Sequence, residues 1–444
     1  MINYNIQAKF KEFSLPAMMP QDSSAVIPTV RGTLKLKYGI HAYYFLNFKT
    51  LKGLRVTISH KNIIMPGLKR FEKANYKKYK YLPKLRYLFQ KYHYSFNFLE
   101  QIMLMTVPHT VTYIGDSRFI INLWSYFGYL EIDLRGKTVK YKIIEENDDN
   151  HVLGSQQWFD PDTDELYFMS YSLKDSLKRA INPYQKVFCK ILKHENKTGK
   201  TKEIWQGDFV DYLHDILINK NRQYCVVPEL GMFLDNERNL IPSKVLIVDL
   251  KNNKQWIISR FIVAAHAQFD PNDPDIIYFS NHNFQFQHSN IFKLLKKTSY
   301  SIKFLGPASV YKYRLTSDGP QELGVFTDSK MFRLTNFQVF NHRGRTIIAA
   351  MGSPNFIFIV DAQNMKLIKK IEVKNERSFK HLYRNIPCLI GTFSPSIDGE
   401  KLYVQTTRSF QVIDVCSGKP DLILNYYFNH SCSNHMITSN DTDW

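Results

Sequence analysis

From Thr106 onward, apolar residues come in short runs bounded by Asp, Asn, Gly and Pro, and long helical periods are few. That spacing predicts many short antiparallel strands. Several segments share one plan: a polar residue, a strand, a turn rich in Asp, Asn or Gly, then further strands, the third ending near an Asp. Pro108–Phe119 and Leu213–Tyr224 match in register without a gap, and Gln156–Pro161, Ala265–Pro271, Phe337–Gly344, Ile390–Pro395 and Asn434–Asp441 repeat the plan. The equivalent positions are 109, 156, 214, 266, 337, 390 and 435, roughly 45 to 70 residues apart, the period of a four-stranded propeller blade.

Seven copies predict an all-β fold, a seven-bladed β-propeller over residues 106–444. Lys244–Asp249 and Phe356–Asp361 read as third strands. The last copy begins only about ten residues before Trp444, so residues 1–64 are expected to complete its blade and close the ring, with strands at Gly32–Tyr38 and Leu54–Ser59.

Residues 65–105 break this pattern. Leu85, Leu88, Phe89, Tyr92 and Phe96 recur near helical spacing within Lys84–Met105, which predicts a basic helical insertion. Charge is concentrated here too. Residues 1–105 carry 18 Lys and Arg against 4 Asp and Glu, most of the chain's formal net charge of +19. A basic segment interleaved with aromatics, centred on Lys77, Lys78 and Lys80, fits three roles: a solvated helical face, peripheral contact with an anionic membrane, or nucleic-acid binding. No recognised nucleic-acid module accompanies it, which weighs against the last.

Hydrophobic residues at 44% and charged residues at 22% are those of a folded globular chain. The 32 Phe and 27 Tyr favour strands and broad apolar faces. Cys189, Cys225, Cys388, Cys416 and Cys432 form no C-x-x-C pair, so a reducing compartment is expected. With no signal-like start and no apolar run of membrane-spanning length, the expectation is a soluble cytoplasmic protein, peripheral to a membrane if the basic segment binds one.

In a propeller the innermost strands converge on the central channel, so equivalent positions form a ring. Four of the seven hold histidine: His109, His214, His266 and His435. Gln156 is a further candidate ligand or substrate contact. Converging imidazoles without a thiolate suit one divalent metal, Fe(II), Mn(II), Ni(II) or Zn(II), and open coordination positions would make such a site catalytic. The alternative is that these histidines brace their sheets by hydrogen bonds. Other chemistry is missing. Gly199-Lys200-Thr201 lacks the preceding glycine of a phosphate loop, where His194 stands instead. The sequon at Asn196 has no secretory route in this reading, and there is neither G-x-S-x-G nor H-E-x-x-H.

The segment Gln156–Tyr171, with Trp158-Phe159-Asp160-Pro161-Asp162-Thr163-Asp164-Glu165-Leu166 at its centre, resembles the carotenoid cleavage oxygenases. That family has His-Pro-Lys-x-Asp-Pro-x-Thr-Gly-Glu-Leu there. Ile121-Asn122-Leu123-Trp124 and Tyr129–Asp133 before it, and His214-Asp215, Pro228 and Phe233-Leu234-Asp235 after it, extend the likeness. The resemblance implies a seven-bladed propeller with Fe(II) held by four histidines, and it carries His214, His266 and His435 over as ligands. The family's first ligand falls on Gln156, and its acidic residue after Leu-Trp falls on Ser125. His266–Pro274 is instead similar to the oligogalacturonate lyases, cytoplasmic seven-bladed propellers whose metal is held by histidines and a glutamine.

These observations lead to a metal-dependent propeller enzyme acting on a small molecule, with an Fe(II) oxygenase for an apolar or aromatic substrate as the first reading. The alternatives are a lyase or isomerase for an anionic substrate and a non-catalytic scaffold.

Overall fold

A computed structural model of the protein describes residues 2–15, 24–31, 40–59, 108–123, 128–143, 151–172, 187–209, 216–228, 243–261, 264–281, 284–288, 300–304, 306–331, 336–352, 355–373, 390–406, 409–425 and 437–439. The described residues form strands and turns, with no helix among them. The predicted helical insertion at 65–105 lies outside them, as do Lys77, Lys78 and Lys80 and the expected strand at Gly32–Tyr38.

The strands assemble into seven small antiparallel sheets arranged in a ring, with one extra hairpin, Phe284–His288 with Tyr300–Phe304. We number the blades from the first complete one. Their innermost strands are Pro108–Tyr113, His151–Asp160, Leu217–Ile218, Ala264–Phe269, Phe337–His342, Ile390–Pro395 and Ile437–Ser439. Lys244–Asp249 and Phe356–Asp361 fall in the third strands of blades 3 and 5, as the pattern predicts. Blade 7 is composite: Ile437–Ser439 pairs with Ser24–Arg31, which is followed outward by Ile40–Asn47, Lys52–Ser59 and Ala8–Ser14. The expected closure by N-terminal strands is therefore observed. Ile2–Asn5 adds a fifth, outermost strand to blade 1, so the N-terminal residues straddle the seam between the last blade and the first.

Burial follows strand position. Second strands such as Tyr224–Pro228 and Ile276–Asn281 are buried along their whole length, because both faces meet neighbouring blades. Such strands need continuous apolar runs rather than alternation. Outermost strands such as Lys366–Glu372 are mostly exposed and lysine-rich, which protects their unpaired edges from pairing with other chains.

The core is divided into seven clusters, one at each junction between adjacent blades. Blade 5 packs Phe337, Ile348 and Phe358 against Ile276, Tyr278 and Val310 of blade 4. At the seam, Phe45 of blade 7 meets Phe119 of blade 1 with ring centroids 5.1 Å apart. Phe48 of blade 7 stacks on Tyr403 of blade 6 at 5.2 Å. Among the described residues, aromatic rings thus fill blade junctions, where flat rings bridge the wide gap between twisted sheets.

Candidate functional site

The innermost strands do not run straight. In blade 1, Pro108 faces Leu123 and Thr110 faces Asn122, so His109 is a single inserted residue. Blade 4 does the same: Ala265 faces Ser280 and Ala267 faces Phe279, leaving His266 as the insertion. In blade 6 the inserted residue is Gly391, between Ile390 and Thr392. Blade 2 has a wider irregularity between Leu153 and Gln157, which contains Gln156. A bulge of this kind bends the strand and redirects the side chain of its extra residue.

His266 takes this furthest. Its φ is 47°, in the left-handed region that residues with a Cβ seldom occupy, and it is buried. Such a conformation costs on the order of 1–3 kcal/mol and persists only where the surroundings enforce it, commonly at functional sites.

His109, Gln156 and His266 lie on innermost strands of blades 1, 2 and 4, each in an irregularity of the pairing. His214 and His435 lie outside the described residues, just before the innermost strands of blades 3 and 7. Two of the cysteines, Cys189 and Cys225, are buried in the core between blades 2 and 3, on strands other than the innermost ones.

Two acidic residues of the Gln156–Tyr171 segment, Asp160 and Glu165, have structural work. Asp160 accepts hydrogen bonds from the backbone N–H of Asp162 at 3.0 Å and from Arg222 Nε of blade 3 at 2.7 Å. Glu165 accepts from Thr163, Tyr167 and Lys193 at 3.1, 2.9 and 2.5 Å. Burial opposes ionisation of both carboxyls, but these donors together outweigh it and hold both below the usual carboxylate range. Corresponding links recur around the ring: Asn219 Nδ2 donates to the Pro274 carbonyl at 3.2 Å, and Thr346 Oγ1 to Asp270 at 2.9 Å. The sequence marks Asp-Pro at 160–161 and 270–271 as part of the blade repeat, without revealing these hydrogen bonds. The paired Asn and Asp turns in successive copies were the available signal for these ties.

A second gathering of donor side chains, His342, Glu400 and Cys416, stands at the junction of blades 5 and 6, away from the inserted residues. Sequence reading did not anticipate it, because its members are distant in sequence and match no spacing motif. Among the described residues no helix is long and apolar enough to cross a membrane.

No known family model matches the chain, and no curated protein matches it. Among solved structures, Kluyveromyces lactis Hsv2 is similar with a TM-score of 0.39 and 14% identity, over 68% of this chain and 71% of that one.

Proposed function

We propose that the protein is a metal-dependent propeller enzyme, with His109, His214, His266 and His435 as the ligands of one divalent ion in the central channel. The observation that carries the reading is the shared position of His109 and His266. Each is the lone inserted residue of an innermost strand in a different blade, and a bulge is a device for aiming a side chain. Left-handed backbone at a buried, non-glycine residue adds support.

Fe(II) is the preferred ion, through the resemblance to the carotenoid oxygenases, with Mn(II) and Zn(II) as alternatives. Such an ion, bound by imidazoles with positions left open, supplies Lewis-acid or one-electron chemistry. The chain's own contribution would be orientation: the closed ring holds the innermost strands, and the bulges set the backbone of His109 and His266. Gln156 would contact substrate or complete the ligand set. In this reading residues 65–105 collect an apolar substrate from an anionic membrane surface through Lys77, Lys78 and Lys80.

The positive charge favours a second reading, a redox-neutral lyase or isomerase on an anionic substrate drawn in by the field. The third is a propeller scaffold without catalysis. Metal analysis of protein purified without added metal tests the first two against the third. We expect His214→Ala and His266→Ala each to lower the metal content by close to one equivalent while the far-ultraviolet circular dichroism is unchanged. Absence of metal, or a metal content that neither variant lowers, would overturn the channel site.

A further inference from the structure

Three turns meet where blade 5 joins blade 6. His342 ends the innermost strand of blade 5. Glu400 lies between the first and second strands of blade 6, and Cys416 between its third and fourth. One ligand atom from each lies within 4.8 Å of the others. Gly399 makes the approach possible: its φ is 73°, and a Cβ there would sit 2.0 Å from the Asn341 carbonyl oxygen. Only glycine allows the two backbones so close.

The imidazole of His342 is oriented. Its Nδ1 lies 3.0 Å from the Gly399 carbonyl oxygen, which can only accept, so Nδ1 carries the proton and donates. In the neutral imidazole Nε2 keeps its lone pair and lies 3.5 Å from Cys416 Sγ, while Glu400 Oε1 lies 3.7 Å from Nδ1. A backbone carbonyl holding the far nitrogen is the usual support of a metal-ligating histidine. The distance fits as well. Zinc bonds of about 2.0–2.1 Å to nitrogen and about 2.3 Å to sulfur, at a tetrahedral angle, set N and S about 3.6 Å apart.

Glu400 is also held, by Arg343 through Nε to Oε1 and Nη2 to Oε2, both at 2.7 Å. A carboxylate oxygen has a second lone pair, so Glu400 can keep Arg343 and still coordinate. Cys416 is exposed and its turn is fixed by Asp414, which accepts from Ser417 N–H at 2.6 Å, and by Lys369, whose Nζ donates to the Cys416 carbonyl. An ion can enter without unfolding the turn.

We propose that His342 Nε2, Cys416 Sγ and the Glu400 carboxylate form a second metal site, which takes a divalent ion of borderline softness, Zn(II) by preference, and joins blades 5 and 6. Thiolate and carboxylate together balance the charge of the ion, and the solvent side leaves a fourth position for water. This site is independent of the channel histidines and differs from them in having a thiolate.

Co(II) titration of the full reduced chain tests it, because a thiolate ligand gives cobalt a near-ultraviolet charge-transfer band that an all-imidazole site does not. We expect the band to appear and to be displaced by Zn(II). Cys416→Ser should abolish it, and His342→Ala should weaken Co(II) binding at least about ten-fold. Zn(II) should also slow alkylation of Cys416 by iodoacetamide in the unaltered chain. No band, a band that survives Cys416→Ser, or alkylation indifferent to Zn(II) would each overturn the proposal. Failure of the channel site would appear as a metal content that His214→Ala and His266→Ala leave unchanged, and failure of this site as the missing cobalt band, so the two outcomes separate.

Discussion

Tyr278 donates its hydroxyl to Asp270 at 2.8 Å, and the other oxygen of that carboxylate accepts from Thr346 of blade 5 at 2.9 Å. Tyr278 is fully buried, and Asp270 nearly so. One carboxylate thus satisfies a core hydroxyl of blade 4 and ties that blade to the next. Asp270→Ala leaves the Tyr278 hydroxyl without this acceptor and should cost about 2–4 kcal/mol in urea denaturation, against about 1 kcal/mol for Tyr278→Phe, which removes the buried group with its bond.

Acid should loosen the ring through a second tie. Asp160, despite burial, is held below the usual carboxylate range by Arg222, the Asp162 N–H and Thr163. Asp249 and Asp414 are shifted the same way, their hydrogen bonds outweighing burial. A carboxyl depressed in the folded state contributes stability above its unfolded value, about 3.9 for Asp, and loses it as pH falls through the folded value. The denaturation midpoint should therefore hold from neutrality to about pH 5 and fall below about pH 4. Asp160→Asn should flatten part of that fall. Arg222 is 40% exposed, so solvent screening limits the pair to about 1 kcal/mol.

Two glycines with similar backbone should respond differently to alanine. Gly344 has φ 79° with open space around it, and Gly399 has φ 73° with a carbonyl oxygen in the way. Gly344→Ala should cost about 1 kcal/mol, the left-handed penalty alone. Gly399→Ala should cost more than about 3 kcal/mol and reduce Co(II) affinity, since the carbonyl that orients His342 must move.

The seam offers a comparison between inner and outer closure. Removing residues 437–444 strips the innermost strand from blade 7 and leaves Ser24–Arg31 with a bare edge. That variant should unfold at lower urea and associate in size-exclusion chromatography, as unpaired edges do. Removing residues 2–5 takes only an outer strand from blade 1 and should leave the protein monodisperse with a smaller loss of stability.

The propeller was legible because its copies repeat a turn chemistry. Asp, Asn and Gly mark each end of the apolar runs, and the third strands Lys244–Asp249 and Phe356–Asp361 fall where the period puts them. Histidine at 109 and 266 was legible as an equivalence, but not as a bulge. A bulge is a mismatch between two strands, and a single strand's pattern of apolar and polar residues does not record its partner's count. The blade 5–6 cluster was hidden for a related reason. His342, Glu400 and Cys416 are neighbours only after two blades pack, and the residue that permits it, Gly399, looks like any turn glycine.

The composite blade also sets an order in time. Strands 24–31, 40–47 and 52–59 can pair with one another as soon as they are made, but their inner edge waits for Ile437–Ser439. Until six other blades exist, Phe48 has no Tyr403 to stack upon, and the growing chain is an open arc with an apolar face at each end. Pairing between the extremes of the sequence makes the last step slow and the unfinished arc prone to aggregation. For a cell making this protein, the vulnerable interval is the one between the first blade's synthesis and the arrival of three residues near the end.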